Sequence, residues 1–160
     1  MRSTIMRMHN TRWIAVAIVS LLTHTAMAQG HQDLAAVIAG GNDALSESVY
    51  GLHTTAYGNN EGLQIAGDGS ASVLKFKAGD FTSINFNDDA LNLVNTVVIR
   101  FNDESQLDVT YDGSQLAGME NLSNVILLCT FDVQPSRAST VVLGNLSSGV
   151  NSFYVISVPE

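Results

Sequence analysis

From Ala71 onward the chain is a succession of short apolar–polar alternations separated by Gly, Asn and Asp. In Ala71–Lys77, Leu74 and Phe76 fall on one face and Val73, Lys75 and Lys77 on the other, a period of two that predicts a strand. Ala78-Gly79-Asp80 signals a turn, and Phe81, Ile84 and Phe86 then predict the apolar side of a second strand. Thr96–Phe101 predicts a third, with Val97, Ile99 and Phe101 opposite Val98 and Arg100. Leu107, Val109 and Tyr111 predict a fourth, facing inward. The fifth, Asn124–Phe131, is apolar on both faces, as expected of a central strand covered on both sides. Pro135 ends that run because proline cannot donate to a ladder, and Thr140–Leu143 and Phe153–Val158 supply the last two strands. The polar connections leave room for one helical turn in 87–95, with Leu91 and Val94 inward, and another around Leu116–Leu122.

Three of these stretches resemble one another. V-N-T-V-V-I-R-F begins at Val94, L-S-N-V-I-L-L-C at Leu122 and V-N-S-F-Y-V-I-S at Val150, two steps of 28 residues. Each carries a small polar pair followed by apolar residues at the same offsets: Val97, Val125 and Phe153, then Ile99, Leu127 and Val155. A fixed period of this size is the pattern of stacked units, none of which can bury its apolar face alone. The spacing V-x-x-V-x-I-x-x-N at Val94 and F-x-x-I-x-F-x-x-D at Phe81 resembles part of a leucine-rich repeat, over few positions and with different intervals between units. The expected class is mainly β with short helical pieces. Two architectures fit it: a small solenoid-like stack of strand-turn-strand units with a period of about 28, or an antiparallel β-sandwich with short, regularly spaced strands.

Residues 29–70 read as an N-terminal helical and loop cap over the first open layer of the β-rich region 71–160, the two forming one domain. Leu34, Val37 and Ile38 suit a short helix ended by Gly40-Gly41, and Asn42 or Asp43 would cap a second with Leu45, Val49 and Leu52 on one face. The many glycines of 54–70 predict a loop or a brief edge strand around Leu63 and Ile65.

The first 28 residues have another character. Arg2, Arg7 and Arg12 precede the apolar run Trp13–Leu22, and Ala26-Met27-Ala28 forms a small-residue cleavage signal. Ten apolar residues are well short of the ~20 a membrane helix needs, so the segment reads as a cleavable secretory signal and the chain as exported, periplasmic or extracellular. Past this leader only Lys75, Lys77, Arg100 and Arg137 face fifteen acidic residues. Such a surface repels phosphate backbones and anionic lipid heads, which disfavours nucleic acid and direct membrane binding as partners. Cys129 is the only cysteine, so no internal disulfide can form, and its setting in V-I-L-L-C-T-F suits a small buried side chain.

Candidate chemistry is sparse. His31 lies near the new N-terminus, where chains fray, and His53 lies in the glycine-rich part as a solvated surface side chain, with no nucleophile turn for it to serve. Asp88, Asp89 and Asp103 could gather along one edge for two-carboxylate hydrolysis, or offer oxygens to Ca2+. Against both stands the preference of Asp and Asn for turns, through side-chain to backbone hydrogen bonds. The sequence contains no G-x-x-x-x-G-K-[ST], G-x-G-x-x-G, H-E-x-x-H or C-x-x-C. The pattern therefore favours a non-enzymatic exported binding or structural module with a protein or glycan partner and no required cofactor. A self-assembling surface or matrix subunit is the alternative, and a small carboxylate-dependent hydrolase comes last. Phe101 and Tyr154 are the aromatics to examine for exposure, with core packing as their more ordinary role.

Overall fold

The computed structural model describes residues 30–158, so the expected leader and cleavage signal lie outside the described residues. The chain is built on one seven-stranded mixed sheet with short helices and no barrel, in keeping with a mainly β class. Among the described residues no helix is long and apolar enough to cross a membrane.

In chain order the strands are β1 (Gln32–Asp33), β2 (Thr55–Asn59), β3 (Gly62–Ala66), β4 (Val73–Lys77), β5 (Thr96–Phe101), β6 (Thr110–Asp112), β7 (Asn124–Cys129), β8 (Val142–Gly144) and β9 (Asn151–Ile156). The large sheet runs β1-β9-β7-β5-β4-β2-β3, and β6 with β8 forms a separate two-stranded sheet. All pairings are parallel except the β2–β3 hairpin, where a sandwich of the expected kind would be antiparallel throughout. The three similar segments lie on the adjacent strands β5, β7 and β9, with Thr96 beside Asn124 and Asn124 beside Asn151. Their small polar pairs stitch the strand starts together. The carbonyls of Ser72, Asn95 and Ser123 accept from the amides of Asn95 (3.0 Å), Ser123 (2.9 Å) and Asn151 (2.9 Å).

Strand alternation divides the apolar side chains between two cores. One face of the sheet presents Leu74, Phe76, Val97, Ile99, Phe101, Val125, Leu127 and Cys129 to the larger core. The opposing wall comes from the connections: Phe81, Ile84, Phe86, Leu91, Val94, Leu107, Leu116 and Met119 are all buried. A parallel strand must be re-entered from its own starting end, so each connection crosses back over this face and contributes apolar residues on the way. The other face presents Val73, Val98, Ile126, Phe153 and Val155 to helices α1 (Leu34–Ala39) and α2 (Asp43–Tyr50), which bring Leu34, Leu45 and Val49. With both faces covered, β7 is the central strand its double apolar pattern predicted, and Val125, Ile126 and Leu127 are fully buried.

Several local expectations need refinement or correction. Of the two expectations for 54–70, the brief edge strand around Leu63 and Ile65 holds, as β3, and the loop does not: Thr55–Asn59 pairs with it as β2 and continues the parallel sheet beside β4. Glycine there serves close approach and turning, since a Cβ on Gly58 would meet Ile84 Cδ1 at 2.7 Å and Gly62 takes φ 124° in the turn. The segment around Phe81 is a 3-10 helix, Ala78–Ser83, rather than a strand. Phe81 and Ile84 are spaced by three, which suits 3.0 residues per turn. Leu107 likewise sits on a 3-10 turn, Glu104–Asp108, and Val109 is exposed, which leaves β6 only three residues. The helices do not cap the first layer. They lie across the outer face, while β1 pairs in parallel with the last strand, β9. Leu52, expected on the apolar face of the second helix, lies beyond its end and is fully exposed.

Candidate functional site

The carboxylates are occupied locally. Asp88 caps the 3-10 turn Asp89–Leu91 and accepts from the Ala90 amide at 2.9 Å. Asp103 caps the turn after β5, accepting from the Ser105 amide at 3.0 Å and from the Ser105 hydroxyl. Asp112 accepts from the Ser114 amide at 3.1 Å and the Asn145 side-chain amide at 3.2 Å, and the Ser114 side chain first, then Asn145 and the Ser114 amide, hold its carboxyl below the usual range. Asp33, Asn59 and Asn85 make the same bond to the amide two residues on. Asp89 is exposed in the first turn of its 3-10 helix. The connection into β5 carries Asp88 and Asp89 and the one out of it carries Asp103, so the structure does not gather the three. Among the described residues no three His, Cys, Asp or Glu side chains come close enough together to hold a metal ion.

The histidines are better placed than their sequence positions suggested. His31 is buried rather than frayed, and its Nε2 donates to the Val141 carbonyl at 2.7 Å. Its Nδ1 is buried without a hydrogen-bond partner, and desolvation lowers its pKa from the ordinary value, partly offset by the Val141 bond. His53 is half-buried, not solvated, with Nε2 shielded and unpartnered among the described residues. Burial, then the nearby Lys75 charge, lowers its pKa, with Glu47 opposing. Burial pushes the Cys129 thiol up to about 11. Phe101 and Tyr154 are both core residues, and Phe101 meets Tyr111 edge-on with centroids 5.7 Å apart.

A concavity lies on the outer face of the large sheet, beside the C-terminal end of α2. It is a cleft of about 330 Å³ lined by Tyr57 of β2, Lys75 and Lys77 of β4, Val98 and Arg100 of β5, and Leu128 of β7, with Asp80 alongside. Strand register builds it in two rows. Tyr57, Lys75 and Val98 stand side by side, and one pleat further on so do Lys77, Arg100 and Leu128. Lys75 is half-buried, and its Nζ donates to the Val49 carbonyl at 2.9 Å near the C-terminal end of α2. A cation there also complements the negative end of the helix dipole. Burial lowers the Lys75 pKa. Lys77 and Arg100 are exposed, and among the described residues the ion pairs are those of Arg137 with Glu104 and Asp108.

Strand alternation sets Lys75 and Lys77 opposite Leu74 and Phe76, and Arg100 opposite Val97, Ile99 and Phe101. The period-two pattern carried that much, but the pairing of Lys77 with Arg100 depends on the register between β4 and β5. The cleft can hold an anion over an apolar floor, with a half-exposed tyrosine ring at one side. No family model matches the chain, and comparison with curated proteins and with solved structures returns no match.

Proposed function

We propose that this chain is a non-enzymatic exported binding module, built as a small solenoid-like stack of strand-turn-strand units, and that the cleft beside α2 is its binding surface. One observation carries the reading. Three of the four Lys and Arg side chains in residues 30–158 line one open cleft of a strongly acidic chain. Scattered charges would be the expectation for solubility alone. The carboxylates support it from the other side, because those proposed for hydrolysis or calcium are engaged as turn caps or exposed singly. The stack is supported by the parallel register of β5, β7 and β9 and by the carbonyl-to-amide ladder at their starts. Parallel strands re-entered through crossing connections give each unit a face that only its neighbour can cover.

The test is ligand-observed NMR of the purified chain against mixed peptides, oligosaccharides and small metabolites, with Leu128→Trp as control. That substitution fills the floor of the cleft from a half-buried position. Ligands seen with the parent chain and lost in the folded variant are expected. Ligands indifferent to Leu128→Trp, or turnover of any library member, would overturn the reading.

A second reading, self-assembly by edge pairing, has its own observation. The outer edge of β3 ends the sheet, and the exposed Ile65 shares a shallow surface depression with the exposed Leu93. An open edge with apolar residues beside it is a template for a second chain. Light scattering over a concentration series, with Ile65→Lys in parallel, decides this. A strict monomer at high concentration removes it.

A further inference from the structure

We propose that the cleft binds a small organic monoanion, a carboxylate or sulfonate on an aliphatic or aromatic body. Lys77 and Arg100 hold the charged group, and Val98, Leu128 and the Tyr57 ring hold the body. The proposal rests on the reading of this cleft as the binding surface, and it names the chemistry of what enters.

The strongest argument is a like-charge pair. Lys77 and Arg100 are register partners on adjacent parallel strands, which places their backbones about 4.8 Å apart. Like charges directly opposite on a sheet are destabilising, and this chain has acidic residues in excess with which to relieve such a pair. Neither cation has a carboxylate within ion-pairing distance among the described residues, although Asp80 lines the same cleft. An anion between them turns the repulsion into a bridge, and the planar fork of Arg100 suits two parallel bonds to a carboxylate or sulfonate. Lys75 stands one pleat back, tied to the Val49 carbonyl, and fixes a third positive charge beside the site.

Size and surroundings narrow the ligand. A volume of about 330 Å³ is at the lower end for small-molecule sites. Val98 and Leu128 form an apolar floor, so a bare inorganic ion would leave most of the cleft unused. Three cations outnumber the one carboxylate at the rim, which favours a single anionic group and opposes a second near Asp80. A long polyanion gains little, because attraction is screened over about 8 Å at physiological salt and the chain beyond the cleft is acidic.

The probes are 2-naphthoate, its neutral counterpart 2-naphthalenemethanol, and acetate, each titrated calorimetrically into the purified chain. Naphthoate is expected to bind about tenfold more tightly than either of the others. Its affinity is expected to fall as salt rises from about 20 mM to about 500 mM. Arg100→Gln and Lys77→Gln, both at exposed positions, are expected to remove most of the naphthoate preference and leave the binding of the alcohol unchanged. Naphthoate and the alcohol binding equally, with both weakened by Tyr57→Ala, would overturn the anion assignment and keep the cleft as a binding surface. Acetate binding as tightly as naphthoate would overturn the assignment of an organic body. No binding of any probe would overturn this proposal, while the wider library screen would still decide the cleft's role.

Discussion

Replacing Phe81 with alanine tests whether the connecting segments form a wall of the core. Phe81 is 2% exposed, on a segment that a loop-based view of the chain would treat as surface. Its ring lies 5.9 Å from Phe76, 5.5 Å from Phe86 and 5.4 Å from Tyr111, all tilted or edge-on. Truncating a buried phenylalanine to alanine costs about 3–5 kcal/mol, from lost transfer energy and the cavity left behind. Three aromatic partners, each pair worth about 0.5–1.5 kcal/mol beyond area, place Phe81→Ala toward the upper part of that range. Phe81→Leu keeps more of the volume but loses the same three aromatic pairs, so it should cost less than alanine, about 2 kcal/mol. Against the ~5–15 kcal/mol stability of an ordinary domain, the alanine change removes a large fraction. Urea unfolding followed by far-UV circular dichroism measures it. With a slope of about 2 kcal/mol per molar urea, the midpoint should fall by about 2 M for alanine and by about 1 M for leucine. A loss below about 1 kcal/mol for Phe81→Ala, typical of surface substitutions, would refute the assignment of these connections to the core.

Four further outcomes follow from the geometry. Burial desolvates His31 and lowers its folded pKa below the ordinary 6.5, the bond its ring donates to the Val141 carbonyl offsetting part of this. The unfolded chain then takes up the proton first, and stability contributed above about pH 6.5 is lost as the pH falls below it. Urea midpoints at about pH 7.5 and about pH 5.5 should show this loss in the parent, and His31→Gln should reduce it. Cys129 is fully buried with its thiol raised to about 11, so Ellman's reagent at mildly alkaline pH should react with it only after unfolding; rapid native reaction contradicts the packing. Asp88→Ala and Asp103→Ala should each cost about 1 kcal/mol through loss of a cap, and neutral results in urea would deny them that role. Arg100→Glu should stabilise the chain by about 0.2–1 kcal/mol, because Lys77 then faces an opposite charge, while abolishing naphthoate binding. A destabilised Arg100→Glu would show that the cross-strand repulsion is not felt.

Much of the strand content follows from local pattern. Thr96–Phe101 and Asn124–Cys129 are the two strands whose side-chain alternation, or lack of it, is least ambiguous, and both form over nearly the expected residues. Leu91 and Val94 point into the core from a short 3-10 turn for the same reason: few residues and fixed apolar spacing leave little choice. The carboxylates also follow their local chemistry, since an Asx side chain bonding two residues ahead needs nothing distant. Patterns of two and three residues were confused where segments were short. Phe81, Ile84 and Phe86 satisfy a strand and a 3-10 turn about equally, and Gly58 looks like a loop residue until Ile84 is seen against it.

By itself the sequence determined the alternating faces, the capped turns, the buried thiol and the acidic character, all of which depend on residue type and neighbours along the chain. Tertiary structure decided what depends on register and docking. Parallel pairing brought Lys77 beside Arg100 across an intervening connection, and the cleft they share is lined from β2, β4, β5 and β7. It also placed His31 against Val141, 110 positions away. No local pattern encodes these contacts: shifting one strand by one residue would turn the same side chains to the opposite face and leave no cleft.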